Sequence, residues 1–441
     1  MPTGRRARAV AGACAGNLIE WYDFFIYAYT AIYFSSSFFP TDDSASQLLA
    51  SAGVLAVGYF MRPLGGWLFG WIADTRGRKS SMILSVSMMC AGSLMIACLP
   101  THATIGIGAP ILLLVARLVQ GLSIGGEYGA GATYLSEIAT KGRRGFYSSF
   151  QYFTLIAGQL VALTVLLILQ SLLPVVELKA WGWRVPFLIG AALAIAVLYL
   201  RRTMQETASP EAMHREEAGS LAALWRHRRA VMLVVAFTMG GSLYFYVFTS
   251  YMQKLLINTA GMDATTTSIV MTVALATFMA LQPIFGSLSD RIGIRNNMLL
   301  FTGLATLAVV PLLSALATVS NPYAAFALVM TALVIAAFYT PIAGTVKADL
   351  FPTEVRCLGV GLPYAIANAV FGGTAEFVAL SFKNAGVESY FYYYVAAVVS
   401  VSLIGAVLMP DLRTRGYLDG LGAVAEIPSP QRSTRPGAPS L

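Results

Sequence analysis

The sequence is poor in charge, histidine and cysteine. Only 11% of its 441 residues are charged and 57% are hydrophobic, whereas a soluble domain is typically about 25% charged. The three histidines fall in predicted loops, which argues against a histidine metal site. The four cysteines show neither zinc spacing nor an extracellular pair suited to a disulfide. We therefore expect no metal centre and no disulfide framework.

Nucleotide-binding and secretory signals are also missing. No G-x-x-x-x-G-K-[ST] loop occurs, which argues against built-in ATP hydrolysis and, without a metal cluster, against a membrane enzyme. Small residues at 11–14 follow three arginines, but no apolar stretch precedes them, so we expect no cleaved signal. The net charge of +8 does not indicate nucleic acid, because the cations lie between apolar runs and form no basic domain.

Apolar runs near 20 residues recur from end to end, each long enough for a hydrocarbon core about 30 Å thick. The backbone of such a run finds no water in the bilayer, so it must be helical. The pattern predicts an all-α integral membrane protein with twelve transmembrane helices. We place them near residues 10–34, 47–72, 80–99, 110–138, 147–172, 184–202, 229–257, 265–289, 296–319, 323–349, 357–382 and 388–409.

The longest loop lies between the sixth and seventh spans and divides the chain into halves. It predicts an N-terminal six-helix bundle over 1–200, a cytoplasmic linker loop over 201–228 and a C-terminal six-helix bundle over 229–410. The remaining residues, 411–441, are rich in Pro, Ser, Gly and Arg, which predicts a disordered cytoplasmic tail.

Positive charges collect in alternate loops. The positive-inside rule therefore places both termini and the central loop in the cytoplasm. The opposite loops hold only Lys179 and Lys383. Besides the central loop, the basic loops carry Arg76, Arg78, Lys79, Lys141, Arg143, Arg144, Arg291, Arg295 and Arg356.

The two halves share sequence patterns at nearly one offset. Gly70-x-x-x-Asp74-x-x-Gly77-x-Lys79 follows the second span, and Gly286-x-x-x-Asp290-x-x-Gly293-x-Arg295 follows the eighth, 216 positions later. Glu137 with Arg144 closes the fourth span, and Asp349 with Arg356 closes the tenth, 212 positions later. These repeats indicate two six-helix pseudo-repeats.

The first of these loops resembles a known signature. Gly70-Trp-Ile-Ala-Asp74-Thr-Arg-Gly77-Arg78-Lys79 is similar to the signature loop of the major facilitator superfamily, and longer stretches resemble its metabolite:proton symporter family. Those stretches include Gly16-Asn17-Leu-Ile-Glu20-Trp21-Tyr22-Asp23-Phe24, Met61-Arg62-Pro63-Leu-Gly65-Gly66, Arg117-Leu-Val-Gln120-Gly121, Gly125-Gly126-Glu127-Tyr128-Gly129, Tyr251-Met-Gln-Lys254 and Asn368-Ala-Val-Phe-Gly372-Gly373-Thr-Ala-Glu376.

The resemblance implies the major facilitator fold, with the solute site at the midplane between the repeats. It also implies a symporter that imports a small dicarboxylate, foremost α-ketoglutarate, with a proton as coupling ion and no other cofactor. We expect a monomer in the cell inner membrane.

Three alternatives remain open at this point. The first is another solute of the same family, such as citrate, shikimate or betaine. The second is a proton-antiport exporter, although exporters carry a Gly-Pro motif in the fifth span, where this chain has Gly158-Gln159. The third is a membrane sensor, although the loops hold no recognisable signalling domain.

Several charged residues lie inside the predicted spans, where each costs about 3 kcal/mol on insertion scales. Such residues usually face a cavity, a partner charge or a solute. Arg62 would lie about 15 Å from the inner end of its helix, close to mid-bilayer. Its guanidinium can bind a carboxylate with two parallel hydrogen bonds. The candidate substrate-binding residues are Asn17, Arg62, Arg117, Gln120, Tyr128, Tyr244, Tyr251, Lys254 and Asn368.

Each of these interpretations has a plainer alternative. Arg117 and Lys254 lie near the outer helix ends and can instead extend their charges to the interface. Tyr244 and Tyr251 fit ordinary helix packing as well as a pocket wall.

Proton coupling needs a carboxyl group that gains and loses a proton near neutral pH, which burial favours. The candidates, in order, are Glu127, Glu20, Asp23 and Glu376. The alternative is that each is a permanently ionised partner of an arginine.

The resemblance also implies a cytoplasmic gate that forms in one conformation and releases in the other. Its candidate residues are Asp74, Gly77, Arg78, Lys79, Glu137, Arg144, Asp290, Asp349 and Arg356, and we place Lys347 at the same end. The second signature loop has Ile294 where the pattern would have a cation. We therefore expect the C-terminal latch to be weaker or differently paired.

Overall fold

The computed structural model describes residues 3–40 and 44–419, and every regular element within these ranges is a helix. Twelve long helices lie at the predicted spans, and we number them in chain order. They are α1 Thr3–Phe38, α2 Ser44–Arg76, α3 Arg78–Cys98, α4 Gly108–Ile138, α5 Arg144–Leu172, α6 Val185–Arg202, α7 Arg228–Asn258, α8 Ala264–Ile292, α9 Ile294–Thr318, α10 Pro322–Ala348, α11 Thr353–Asn384 and α12 Glu388–Leu408.

Length and composition let these helices cross a membrane. Of the described helices, α3–α12 are each long and apolar enough by themselves. The remaining two, α1 and α2, contain 36 and 33 residues and occupy the first two predicted spans. The prediction of an all-helical, twelve-span chain is confirmed.

Three helices are irregular near candidate residues. In α7, Val247–Tyr251 is a π-helical segment that includes Tyr251. In α11, Asn368–Gly372 is π-helical and begins at Asn368. In α10 the helix breaks into a 3₁₀ turn, Thr340–Ile342, and resumes as Ala343–Ala348. Such interruptions often accompany functional sites in helices.

The contacts between helices follow the repeat. Extensive contacts join α2 to α11 and α5 to α8. The two contacts are equivalent in the repeat, because α2 of the first half corresponds to α8 of the second and α5 corresponds to α11. At the first contact Gly70 lies against Leu358, and at the second Gly286 lies against Gly145. Small residues at these positions let the backbones approach closely. The division into bundles over 1–200 and 229–410 stays a prediction.

A row of glycines on α4 sets the position of Arg62. Gly121 and Gly125 face the backbone of α2, so that a side chain at Gly125 would overlap the Arg62 carbonyl. Four residues on, Gly129 lies against Gly361 of α11. This spacing keeps the glycines on one helix face, and α4 therefore packs directly on α2 and α11.

The predicted linker and tail both contain ordered structure. Residues 201–228 include two short helices, Pro210–Met213 and Leu221–Arg226. The predicted tail begins at 411, yet residues 411–419 are ordered and include the helix Leu412–Arg415, because backbone and side-chain contacts described below hold them. The rest of the predicted tail, 420–441, lies outside the described residues.

We predict that Gly125→Ala destabilises the protein, because its methyl group would overlap the α2 backbone. Overpacking of this kind costs about 1–3 kcal/mol, and thermal unfolding in detergent should show a lower melting temperature. Gly131→Ala is the matched control on the same helix, since a methyl group there meets nothing within 4 Å. Equal melting temperatures for the two variants would contradict close α2–α4 packing.

Candidate substrate cavity and gate

A small cavity lies between α1, α2, α4 and α11. Its volume is about 10 Å³, roughly the room that one water needs. Four predicted site residues line it together: Asn17, Glu20, Arg62 and Tyr128. A dicarboxylate does not fit in this space, so the surrounding helices must separate to admit one. The conformation is therefore a closed one.

Arg62 is buried in this cavity without a counterion. Its side chain is 4% exposed and has no ion pair among the described residues. Aromatic rings partly replace a counterion, since the guanidinium carbon lies 3.8 Å from the centre of the Tyr59 ring and 5.3 Å from that of Phe24. Cation–π contacts recover only part of the cost of burying a charge. The arrangement suits a site that awaits an anion.

Glu20 lines the same cavity and is also incompletely satisfied. It is 5% exposed, and its Oε2 atom has no hydrogen-bond partner among the described residues. Neighbouring Asn17 is engaged elsewhere, because its Nδ2 donates to the Gln151 carbonyl at 2.6 Å and to the Thr154 hydroxyl at 2.9 Å. Asn17 thus anchors α1 to α5 at the cavity wall, and Glu20 keeps one carboxylate oxygen without a hydrogen-bond partner in the described part of the chain.

Arg117 belongs to a separate buried network. At 2% exposure its side chain is buried inside the protein and bonds to its neighbours, which favours the network over an extended, snorkelling side chain. Its Nη1 donates to Gln120 Oε1 at 2.7 Å, and Gln120 in turn donates to Asp23. The Asp23 carboxylate also accepts from Ser93 at 2.5 Å. Gln120 and Asp23 therefore satisfy each other, and the structure links them to Arg117 rather than to Arg62.

Glu127, the first candidate for proton coupling, forms a buried ion pair with Arg201. The guanidinium donates to both carboxylate oxygens, one at 3.0 Å, and Ser85 adds a donor at 2.6 Å. Arg201 itself is completely buried and also donates to the Gly12 carbonyl at 3.2 Å. Arg201 lies where the predicted sixth span (184–202) and the predicted linker (201–228) overlap, and the structure places its side chain inside the helix bundle. The geometry makes Glu127 the partner of Arg201.

Lys347 contacts the cavity wall rather than the gate. Its Nζ donates to the Tyr128 hydroxyl at 2.9 Å and lies 4.5 Å from the centre of the Tyr364 ring. The Tyr128 and Tyr364 rings stack at 3.5 Å, and both line the cavity. Placing Lys347 at the gate was therefore wrong, because the interrupted end of α10 turns the side chain toward α4 and α11.

Four other candidates lie apart from the cavity. Lys254 forms an ion pair with Glu376, and both side chains are more than 40% exposed. Tyr251 donates to Glu388 at 3.1 Å, and Tyr244 donates to the Ala332 carbonyl at 3.2 Å. In the closed state these tyrosines therefore serve helix packing and do not line the cavity.

Asn368 is the remaining candidate for substrate binding. It is 1% exposed, and its Nδ2 has no partner among the described residues. It opens the π-helical segment of α11. An unsatisfied buried amide is costly, so Asn368 stays a candidate.

The candidate gate residues from the first signature loop meet the start of α11. Both oxygens of Asp74 accept backbone N–H groups, from Cys357 at 3.0 Å and Leu358 at 2.9 Å. A carboxylate there complements the positive end of the helix dipole. Glu137 lies between two cations, Arg78 at 3.3 Å and Arg356 at 2.8 Å. These contacts join α2, α3 and α4 to α11.

Glycine is required where each signature loop turns. Gly77 and Gly293 have φ values of 97° and 93°, a region that side chains disfavour. After Gly77, the N–H groups of Arg78 and Lys79 donate to Glu206 at 2.9 and 3.1 Å. The central segment thus caps α3.

The second signature loop repeats the helix cap with different ion pairs. Asp290 accepts from the N–H groups of Gly145 at 2.7 Å and Phe146 at 3.0 Å, which caps α5 as Asp74 caps α11. Arg144, however, donates to both oxygens of Asp419, at 2.9 and 3.0 Å. Asp349 accepts from the Leu418 N–H at 2.8 Å.

Residues 411–419, which we call the strap, thus complete this latch. Ile294 removes the cation that corresponds to Arg78, and the strap supplies other contacts in its place. The expectation of a differently paired second latch agrees with this geometry.

The contact with Arg144 also acts on the strap. Because its guanidinium donates to the Asp419 carboxylate, the pKa of that carboxyl lies below its ordinary value. Folding favours the ionised form, so this stabilisation is fully present above the ordinary pKa of about 3.9 and is lost as pH falls through the lowered value. The contact is therefore intact at neutral pH.

The sequence reasoning missed three features of the site. Arg201 ends an apolar run, and this position is the local sequence signal that could have indicated a buried arginine. Tyr364 lies in α11 without a recognisable motif. The strap follows α12 in a stretch whose composition predicts disorder. All three depend on contacts between distant parts of the chain.

Comparison with known proteins identifies the family. The family model described as the Major Facilitator Superfamily matches residues 13–375, with a second match over 255–422. The alpha-ketoglutarate permease of Escherichia coli (strain K12) is 57% identical over 407 residues, which covers 92% of this chain and 94% of that protein. A citrate-proton symporter of Klebsiella pneumoniae is 34% identical over 379 residues, which covers 84% of each chain.

The fold agrees with this assignment. The structure of the proton:xylose symporter XylE bound to 6-bromo-6-deoxy-D-glucose superposes with a TM-score of 0.73 at 15% identity, covering 93% of this chain and 96% of that chain. At this identity the likeness shows the fold alone. The chain is therefore a multi-pass membrane protein that belongs to the major facilitator superfamily.

Proposed function

We propose that this protein imports α-ketoglutarate together with protons by alternating access. The structural observation that carries the proposal is an unpaired arginine, Arg62, that shares one buried cavity with an unsatisfied carboxyl group, Glu20. The first group suits a substrate carboxylate and the second suits a proton. The choice of α-ketoglutarate is supported by the permease that is 57% identical to this chain.

Other solutes of the family have weaker support. The citrate-proton symporter is 34% identical, and the shikimate transporter of Escherichia coli (strain K12) is 31% identical over 417 residues. A zwitterion would need a cation-binding aromatic cage as well as a carboxylate clamp. The aromatic groups in the cavity already surround the protein's own cations Arg62 and Lys347, which favours an anionic solute.

The basic loops support an orientation for the protein, which we place in the cell inner membrane on the strength of its similarity to the alpha-ketoglutarate permease. Arg78, Arg144, Arg291, Arg295 and Arg356 lie in or beside loops at the gate end of the helices. By the positive-inside rule this end faces the cytoplasm, together with both chain termini. The closed contacts of Asp74, Glu137 and Asp290 then form a cytoplasmic gate. We further propose that the protein works as a monomer.

The coupling can be described in terms of charge. Protonation of Glu20 removes one negative charge from the cavity, and the substrate carboxylate neutralises Arg62. With both groups neutralised, the helices close around the solute at lower electrostatic cost. Closing with only one of them in place leaves a buried charge unpaired, so proton and solute cross together.

We predict that purified protein in liposomes accumulates radiolabelled α-ketoglutarate when the outside is acidic relative to the inside. An uncoupler should abolish accumulation, because it removes the driving force. Protein-free liposomes are the control. Accumulation that persists with uncoupler would contradict proton coupling, and absence of uptake by folded protein would contradict α-ketoglutarate as the substrate.

We predict that Glu20→Gln affects proton coupling and that Glu127→Gln affects stability. The first should lose proton-driven accumulation but keep exchange of labelled for unlabelled α-ketoglutarate, since only the proton site is removed. The second should leave Arg201 buried without its partner, which costs about 3–5 kcal/mol and should lower the melting temperature.

Glu177→Gln on the exposed short helix Val175–Ala180 before α6 is the matched control. If Glu20→Gln accumulates substrate normally while Glu127→Gln is stable but no longer proton-coupled, the proton-coupling role belongs to Glu127 and not to Glu20.

The strap offers a test of the gate. We predict that Asp419→Asn increases opening, because Arg144 loses its bidentate partner. A partly exposed pair contributes about 0.5–1 kcal/mol, equivalent to a two- to fivefold change. The reporter is Cys357, a buried free thiol at the start of α11, whose labelling by a permeant maleimide requires an open gate.

The labelling experiment uses a background in which Cys14, Cys90 and Cys98 are replaced by serine. Glu211→Gln, which removes an exposed charge from the central loop, is the control. Equal labelling rates for Asp419→Asn and the control would show that the strap does not hold the gate.

A further inference from the structure

Lys347 is a buried cation without a carboxylate partner. Its side chain is fully buried, and it takes part in no ion pair among the described residues. One of its three N–H donors binds the Tyr128 hydroxyl. The ring centres of Tyr128, Tyr339 and Tyr364 lie 5.0, 5.6 and 4.5 Å from Nζ.

Such a lysine is expensive to keep for structure alone. A buried ammonium group usually pairs with a carboxylate, and tyrosine rings recover only part of its lost hydration. An apolar side chain of similar length would fill the same space at lower cost. Two other buried cations do have such partners, since Arg201 pairs with Glu127 and Arg356 pairs with Glu137.

The surroundings of Lys347 connect it to the cavity. Tyr128 binds its Nζ, and Tyr364 lies beneath the same amine. Both tyrosines line the cavity that also contains Arg62. Arg62 belongs to α2 and Lys347 to α10, so the stacked pair of tyrosines separates two unpaired cations on different helices. A dianion has two groups for which these cations are suitable partners.

We propose that Lys347 binds one carboxylate of the dicarboxylate whose other carboxylate is held by Arg62. The inference rests on the proposed function and extends it to a residue that determines specificity. In the closed state the Tyr128 hydroxyl holds the amine. When the helices separate and the tyrosine stack opens, the substrate carboxylate takes its place. Lys347 then discriminates between dianions and monoanions.

The test compares two solutes that differ by one carboxylate. These are α-ketoglutarate and 2-oxopentanoate, which carries a methyl group where α-ketoglutarate has its second carboxylate. Uptake in liposomes gives the KM of the first, and competition gives the inhibition constant of the second. The variants are Lys347→Met and Lys347→Arg, with Lys179→Met on the exposed short helix Val175–Ala180 as the control.

We expect Lys347→Met to raise the KM for α-ketoglutarate about tenfold or more, as loss of a charge-assisted hydrogen bond implies. The inhibition constant of 2-oxopentanoate should stay within about twofold, since its single carboxylate can bind Arg62 without the lysine. Lys347→Arg should recover part of the affinity, because it keeps the charge. Binding measured as a ligand-induced rise in melting temperature gives the same comparison without transport.

If Lys347→Met keeps the wild-type ratio of the KM for α-ketoglutarate to the inhibition constant of 2-oxopentanoate, this inference alone is overturned. An equal loss of affinity for both solutes that Lys347→Arg does not restore would also overturn it, because that pattern indicates that Lys347 only stabilises the fold. Absence of α-ketoglutarate uptake by the wild-type protein would instead overturn the proposed function, and this inference with it.

Discussion

The cost of burying charge away from water governs this structure. A buried charge must find a partner within the protein or be neutralised by a ligand or proton. Glu127 and Arg201 satisfy each other, and their pairing fixes α4 against α6. Among the described residues Arg62 and Lys347 form no ion pair, one oxygen of Glu20 has no hydrogen-bond partner, and all three residues lie at or beside one cavity. The unpaired charges therefore mark the site better than the paired ones do.

The sequence predicts most of the fold because its signals are local. The length of each apolar run determines whether it spans the bilayer, and the spacing of Asp74 and Asp290 reveals the duplication without any contact information. Arg62 was also predictable, since its depth follows from counting residues to the helix end. Its place in the cavity agrees with that count.

The choice of partners was not predictable in the same way. Glu127 and Arg201 are 74 residues apart, and Lys254 and Glu376 are 122 apart, so neither pair has a local signature. Lys347 was misplaced because it was judged by its nearness to the inner end of the tenth span, whereas the helix is interrupted by the 3₁₀ turn at Thr340–Ile342 before it reaches Lys347. Tertiary contacts decide these positions, and a single sequence does not contain them explicitly.

The strap has a counterpart in the first half. Glu206 follows α6 and returns to cap α3, while Asp419 follows α12 and returns to Arg144. The two acids are 213 positions apart, within the 212–216 offset of the other repeated motifs. Each half is thus followed by an acidic residue that returns to the gate end of the helices, where the first caps a helix of its own half and the second pairs with the other half. A protein shortened directly after α12 would keep all its spans and still lack the last piece of its second repeat.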